Sequence, residues 1–452
     1  MCFWFLVLSL VVGSPLFATI KSLRSHPSLR TASVGVCVLD LKTKKVVQSH
    51  QPDLALIPAS TLKAVTTATA LRILGPDYRY PTRLYLKGDD LVILGGGDPT
   101  LANSAPDAEF PAWLAALRKA GMIEIKGNLV ADTGRFEEQR AHKDWPWGDL
   151  GNYFGAGPSG LNFHQNSYHL TFELGKVGAP ARLTNTVPTP PGLVFTNLLR
   201  TGSAGSGDQA WIYCAPGSDS ATIRGTLPAG GAYTIRGALP RPAFTCLNLF
   251  RDYLKEKDFP VRGRLQIRRG ISLDSAKLVH EQQSPPLSKI IRGTNFRSVN
   301  LYADTLFKSL TEGGTSAQAR RTLIQHWKKA GVKTTGFRPL DGSGLSPRNL
   351  ITPRQLAHIT ALAATGKHGL VFRNSLPTLG RTGTLAAYGK TGASAGKIHA
   401  KSGSLTGVRC YTGLFKDASG REFAFAVMTN NYLSSPLRPI LSLFNHWVTS
   451  RL

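Results

Sequence analysis

Apolar positions along this chain change rhythm several times. Residues 32–50, ASVGVCVLDLKTKKVVQSH, carry two apolar runs around a short polar turn and predict two strands. The next segment, LIPASTLKAVTTATALRIL, places Leu62, Val65, Ala68 and Leu71 at helical steps, with Pro58 where a helix can begin. From about residue 82 to 284, short apolar runs alternate with Gly, Pro, Ser and Thr, as in LVILGGGDP and SGDQAWIYCAPGS. That pattern predicts mostly β structure with many turns, interrupted by helices near 107–120 and 244–257. Helical spacing returns near 298–311, 316–330 and 353–364. The chain closes with strand-like KIHAKSGSL, GVRCYTGLF and EFAFAVMTN and a helix near 436–448. A strand–helix start and a helix–strand end around a β-rich middle predict one domain, 19–81 plus 285–452, interrupted by an insertion. The insertion spans 82–284.

One further apolar run, FWFLVLSLVV at residues 3–12, is too short for an ordinary spanning helix, and Gly13, Ser14 and Pro15 break it. It resembles the apolar region of a secretory signal, so residues 1–18 are expected to be a signal peptide. The expected location is the periplasm or cell envelope. The composition, 42% apolar and 18% charged, fits a large packed core and excludes a disordered chain. Lys and Arg outnumber Asp and Glu by 54 to 27, giving a net charge of +27. The excess is spread out, with no long basic run and no nucleic-acid-binding signature, so no nucleic-acid partner is expected. Attraction to an anionic envelope or a carboxylate-bearing polymer fits better, with peripheral association. Cys37, Cys214, Cys246 and Cys410 form no C-x-x-C pair, and the His residues form no ligand cluster, so neither zinc nor another metal is expected. Cys214 and Cys246 leave two readings open, a disulfide or two free buried thiols.

Three short patterns carry candidate chemistry. Ser60 and Lys63 form S-x-x-K at the predicted helix start, and residues three apart share a helical face. The Lys63 amine can therefore reach the Ser60 hydroxyl and act as its base, provided burial lowers the lysine pKa. Ser298 and Asn300 form S-x-N, with Ser298 read as part of the proton relay beside Lys63 and Asn300 as a partner for a substrate amide. The third pattern, K-[ST]-G, needs a strand, because its backbone pairs with an extended peptide and its Gly lets that chain approach. Two segments compete for it. Lys390-Thr391-Gly392 lies in AAYGKTGASAG, which has no strand pattern, whereas Lys401-Ser402-Gly403 lies in KIHAKSGSL, which leads into two strands. The strand requirement selects Lys401. It leaves the Lys390 segment as a lip over the site or a connection to the strand. Ser394, in G-x-S-x-G, lacks the strand before it and the helix after it that a nucleophile elbow needs.

Taken in order, the three boxes resemble the serine penicillin-recognising enzymes. With PASTLK, WPWGDLGNYFGAGPSGLNFHQNS, DGSGLSPRNLITP and HAKSGSLTGV, the chain resembles the D-alanyl-D-alanine carboxypeptidase/endopeptidase family of class C low-molecular-mass penicillin-binding proteins, peptidase family S13, from about residue 32 to 432. The resemblance implies an α/β (α+β) fold, a transpeptidase/β-lactamase-like domain whose central antiparallel sheet is flanked by helices, with β-rich inserted domains. It implies Ser60 as the acylated nucleophile, Lys63 as base and Ser298 as relay. Asn300, Lys401, Ser402 and Gly403 would bind substrate, and the backbone N–H groups of Ser60 and Ser404 would form the oxyanion hole. Ser402 stands where the family generally carries Thr and keeps the hydroxyl. Asp304 stands where Glu is usual and is read as structural.

The implied activity is a cofactor-free serine D,D-peptidase acting on peptidoglycan stem peptides, with β-lactams as covalent inhibitors. The rivals are a β-lactamase or esterase and a non-catalytic wall-binding homologue. GGGDP at 95–99 reads as a β-turn and DGSGLS at 341–346 as a loop near the site. Trp145 and Trp147 read as core or interface packing.

Overall fold

The computed structural model describes residue 20 and residues 22–452. The expected signal peptide, 1–18, lies outside the described residues. No helix among them is long and apolar enough to cross a membrane.

The first domain is built on five antiparallel strands: β1 (Ser33–Asp40), β2 (Val46–His50), β3 (His399–Leu405), β4 (Val408–Lys416) and β5 (Glu422–Asn430). Their order across the sheet is β3-β4-β5-β1-β2. Its central pairing joins the two ends of the sequence, from Ser33 opposite Asn430 to Asp40 opposite Phe423. Strand side chains alternate between faces. Val34, Val36 and Val38 of β1 therefore join Phe423, Phe425 and Val427 on one face, beneath Phe444 and Trp447 of the C-terminal helix Leu437–Thr449. Cys37 and Leu39 join Ala424, Ala426 and Met428 on the other. That second face is covered by helices α1 (Leu62–Ile73), α2 (Leu287–Phe296), α3 (Asn300–Lys308) and α4 (Pro353–Thr365). Both faces are buried, which is why β1, β4 and β5 read as nearly unbroken apolar runs. β3 is an edge strand; a single bridge from Thr378 to His399 covers the start of its outer side.

The insertion leaves and returns through neighbouring strands, since Pro81–Lys87 pairs antiparallel with Lys277–Gln283. Inside it, Asp90–Gly95, Leu129–Asp132 and Leu265–Arg268 pair in parallel, with helices Phe110–Lys119 and Pro242–Glu256 in the same unit. Shorter strands between Ser167 and Ala238 make three further small sheets. The resemblance implies two small domains here. One continuous apolar cluster runs across this region, from Leu84 and Ile93 through Phe163 and Tyr168 to Ile223 and Leu227. Cys37, Cys214, Cys246 and Cys410 are all buried free thiols, so the Cys214–Cys246 bridge is not formed.

Phe425 is fully buried, with its ring centroid 5.3 Å from those of Phe444 and Trp447. Truncating such a ring costs about 3–5 kcal/mol. Phe425→Ala should lower the urea midpoint of the first domain, followed by tryptophan fluorescence. An unchanged midpoint would mean that the C-terminal helix does not dock on this face.

Candidate active site

The sequence predicts a helix beginning at Pro58. The chain there first makes a tight 3-10 turn, Ala59–Thr61, and only then enters α1. Ser60 lies in that turn and Lys63 in the first turn of α1. Two glycines from distant segments press on this backbone. A Cβ on Gly403 would lie 2.9 Å from the Ser60 nitrogen, and one on Gly344 would lie 1.9 Å from the Ala59 carbonyl oxygen. Ala59 itself has a φ of +46°, a strained value for a residue with a side chain, held in place by these contacts.

Lys63 is completely buried. Its Nζ lies 2.9 Å from Ser60 Oγ, 2.6 Å from Asn300 Oδ1 and 2.8 Å from the Ser343 carbonyl oxygen. Burial pulls its pKa down to about 8, against the opposing pull of the Asp304 and Asp341 carboxylates. Asp304, on the buried side of α3, is pushed up to about 7 by burial and by repulsion from Asp341. It accepts hydrogen bonds from the Gly342 and Ser343 N–H groups at 2.7 and 3.0 Å. Lys401 on β3 is also fully buried and donates to the Ser402 carbonyl at 2.7 Å. Burial and the nearby Lys63 hold its pKa well below the ordinary lysine range.

Asn300 opens α3. Its Oδ1 accepts from Lys63, and its Nδ2 donates to the Phe154 carbonyl of the insertion at 2.7 Å. Both ends of this amide have protein partners, and Asn300 also lines the cavity, where the sequence reading gives it a substrate amide. Ser298 sits two residues earlier in a left-handed turn, with φ +60°. It lines the cavity but makes no hydrogen bond to Lys63 or Ser60, so Asn300 is the S-x-N side chain bonded to the lysine.

These groups border a cavity of about 700 Å³ that reaches Ser60, Ser298, Asn300 and Ser404 from one domain and Phe154 and Trp211 from the insertion. Thr384 also lines it, with its hydroxyl 3.3 Å from Ser402 Oγ. Lys390 is not part of the lining. Its segment turns away toward the C-terminal helix, where Asn445 Oδ1 accepts from the Ser394 N–H and hydroxyl at 2.9 and 2.7 Å. It is a connection to β3, not a lip. Trp145 is buried between the insertion and the DGSGLS loop, whereas Trp147 is 60% exposed and does not pack as expected. Sequence reasoning placed DGSGLS near the site but missed the Ser343 carbonyl, the Phe154 carbonyl and Thr384. Two of these act through the backbone, and a backbone carbonyl has no residue signature.

The sequence profile described as the D-Ala-D-Ala carboxypeptidase 3 (S13) family matches residues 16–441. A D-alanyl-D-alanine carboxypeptidase of Actinomadura sp. (strain R39) is 29% identical over 440 residues, covering 91% of this chain and 80% of the relative. D-alanyl-D-alanine carboxypeptidase DacB of Haemophilus influenzae is 23% identical over 465 residues, covering 95% and 92%. The crystal structure of penicillin binding protein 4 (dacB) from Haemophilus influenzae superposes with a TM-score of 0.81 at 21% identity, over 94% of this chain and 98% of that one. The same protein complexed with a β-lactam gives 0.76 at 19%, over 95% and 98%. The superpositions speak for the fold, α/β with a central antiparallel sheet.

The choice between the two lysine boxes is open to direct test. Lys401→Ala should abolish covalent labelling of Ser60 by a fluorescent penicillin, while Lys390→Ala should label at the wild-type rate. Equal labelling of the two variants would show that the wrong box was chosen.

Proposed function

The chain belongs to the D-Ala-D-Ala carboxypeptidase 3 (S13) family, and from that premise we propose that it is a serine D,D-peptidase of peptidoglycan stem peptides, working through an acyl-enzyme on Ser60. The observation that carries the assignment is the surroundings of the Lys63 amine. A neutral amine has two hydrogens and one lone pair. Asn300 Oδ1 and the Ser343 carbonyl can only accept, and together they take both hydrogens. The donation from Asn300 Nδ2 to Phe154 supports that orientation of the amide. The lone pair is left for Ser60, the one neighbour of the three whose group can donate.

Ser60 Oγ then attacks the carbonyl carbon of the D-Ala-D-Ala amide as its proton passes to Lys63. The Ser60 and Ser404 N–H groups receive the oxyanion. Lys63 returns the proton to the leaving nitrogen, D-Ala departs, and water hydrolyses the ester on Ser60. Cross-links between D-Ala and meso-diaminopimelate have an acyl donor of the same type and would follow the same path. The open edge of β3 suits an extended peptide lying along Lys401, Ser402 and Gly403. Ser298 lines the cavity without a protein partner to Lys63, which supports a role toward substrate or a bound relay. β-Lactams, which mimic the D-Ala-D-Ala terminus, would acylate the same serine, and the β-lactam complex of the Haemophilus influenzae relative supports this. The apolar run at 3–12 supports export to the periplasm or envelope, and the +27 charge supports peripheral attachment there.

Labelled penicillin tests the reading. The wild type should take up stable label and release D-Ala from muropeptides, and Ser60→Ala should do neither. Absence of label on the wild type would sink the proposal. Label lost within seconds would favour a β-lactamase, and stable label without D-Ala release a binding role.

The pH dependence follows from Lys63. It must lose its proton to act, so acylation should rise as pH increases through about 8. With a pKa near 8, about a tenth of the amine is neutral at pH 7, against about one part in a few thousand for an ordinary lysine. Asp304→Asn removes a negative charge that favours the protonated amine, so the midpoint should move to lower pH. A midpoint that stays or rises would show that Lys63 is not the group being read.

A further inference from the structure

We propose that Trp145, a residue of the insertion, is a positioning residue for Lys63: its indole N–H holds Asp341, and Asp341 holds the loop whose Ser343 carbonyl receives the lysine amine. This rests on the peptidase reading above and adds to it a residue outside the three boxes.

Asp341 is buried and gathers four donors. Its Oδ1 accepts from the Gly344 N–H at 2.7 Å and from Asn349 Nδ2 at 2.9 Å. Its Oδ2 accepts from the Ser346 N–H at 2.8 Å and from Trp145 Nε1 at 2.9 Å. Three of these donors belong to the same short segment and would travel with it wherever it went. Trp145 lies 196 positions upstream, so it is the donor that fixes where the loop stands relative to the rest of the molecule. On the opposite side, Asp304 accepts the Gly342 and Ser343 N–H groups. The loop is therefore held by α3, by α1, whose Thr66 hydroxyl donates to the Gly342 carbonyl at 2.7 Å, and by the insertion. In that position Gly344 presses on the Ala59 carbonyl, and the Ser343 carbonyl meets Lys63 at 2.8 Å. A buried carboxylate needs such donors to remain charged and in place. Displacing a catalytic group by about 1 Å can cost about a hundredfold in rate.

Trp145 does not line the active cavity, so its loss should affect the chemical step without weakening initial binding. The charged groups facing Lys63 are Asp304 from α3, Asp341 from the loop and Lys401 from β3.

Trp145→Phe keeps the ring and deletes the donor. Under the proposal, the saturating first-order rate of acylation by labelled penicillin falls by about tenfold or more, the range expected for one hydrogen bond to a charged group. The half-saturating penicillin concentration for that step stays within about twofold, the scatter allowed to a side chain outside the contact surface. The final label remains one per molecule. A merely structural tryptophan would leave fewer labelled molecules, each reacting at the wild-type rate. A second variant, Asp341→Asn, removes a negative charge near Lys63 and should lower the midpoint of the pH–acylation profile. An unchanged saturating rate in Trp145→Phe, reduced stoichiometry at normal rate, or an unmoved midpoint in Asp341→Asn would each overturn the proposal. Failure of the wild type to take label would sink the peptidase reading first, and this one with it.

Discussion

The constraint from which the site follows is an amine removed from water. Lys63 has no solvent to carry its charge, so its two protonation states are brought close in energy and its hydrogens must go to fixed acceptors. Those acceptors come from α3 and from the loop after residue 341, the hydroxyl it serves comes from the turn before α1, and a second buried lysine comes from the edge strand. No one of these segments has a reason to adopt its local shape alone. Ala59 at positive φ, Gly344 against its carbonyl and Gly403 against the Ser60 nitrogen are backbone adjustments that let the segments meet within hydrogen-bonding distance.

Much of the frame was legible in the sequence, for a physical reason. β1, β4 and β5 are covered on both faces, so they show long apolar runs, and α1 shows its buried positions at helical steps. Lys401 was separable from Lys390 because a strand leaves a pattern and a glycine-rich connection does not. The 3-10 start at Ala59 was not legible, since a proline at a helix start is compatible with either turn and the backbone that presses on it comes from the distant Gly344 and Gly403. Asn300 could be placed beside the site from its box. Its bond to Lys63, in preference to Ser298, depends on a backbone carbonyl of the insertion. The insertion's two helices were visible as patterns. The apolar cluster that crosses it was not, because it joins residues from sheets whose pairing no local pattern reports.

The insertion reaches into the candidate site. It leaves and re-enters through paired strands, which keep it close to the first domain. It then contributes the Phe154 carbonyl to Asn300 and the Trp145 indole to Asp341. Glu137 adds a third link, an ion pair with the buried Lys308 of α3 at 3.0 Å. Two of these contacts end on α3, the helix that also carries Asp304, so the position of that helix is set from both sides.

The pairing of β1 with β5 also governs when the site can first assemble. During synthesis Ser60 and Lys63 leave the ribosome well before Lys401 and the strand that completes the sheet, which ends at Asn430. A chain broken off in between carries Ser60 and Lys63 but neither the edge strand nor the central pairing that holds the sheet together. Ser60 and Lys63 therefore meet the edge strand and its lysine only after the strand ending at Asn430 has been made and paired.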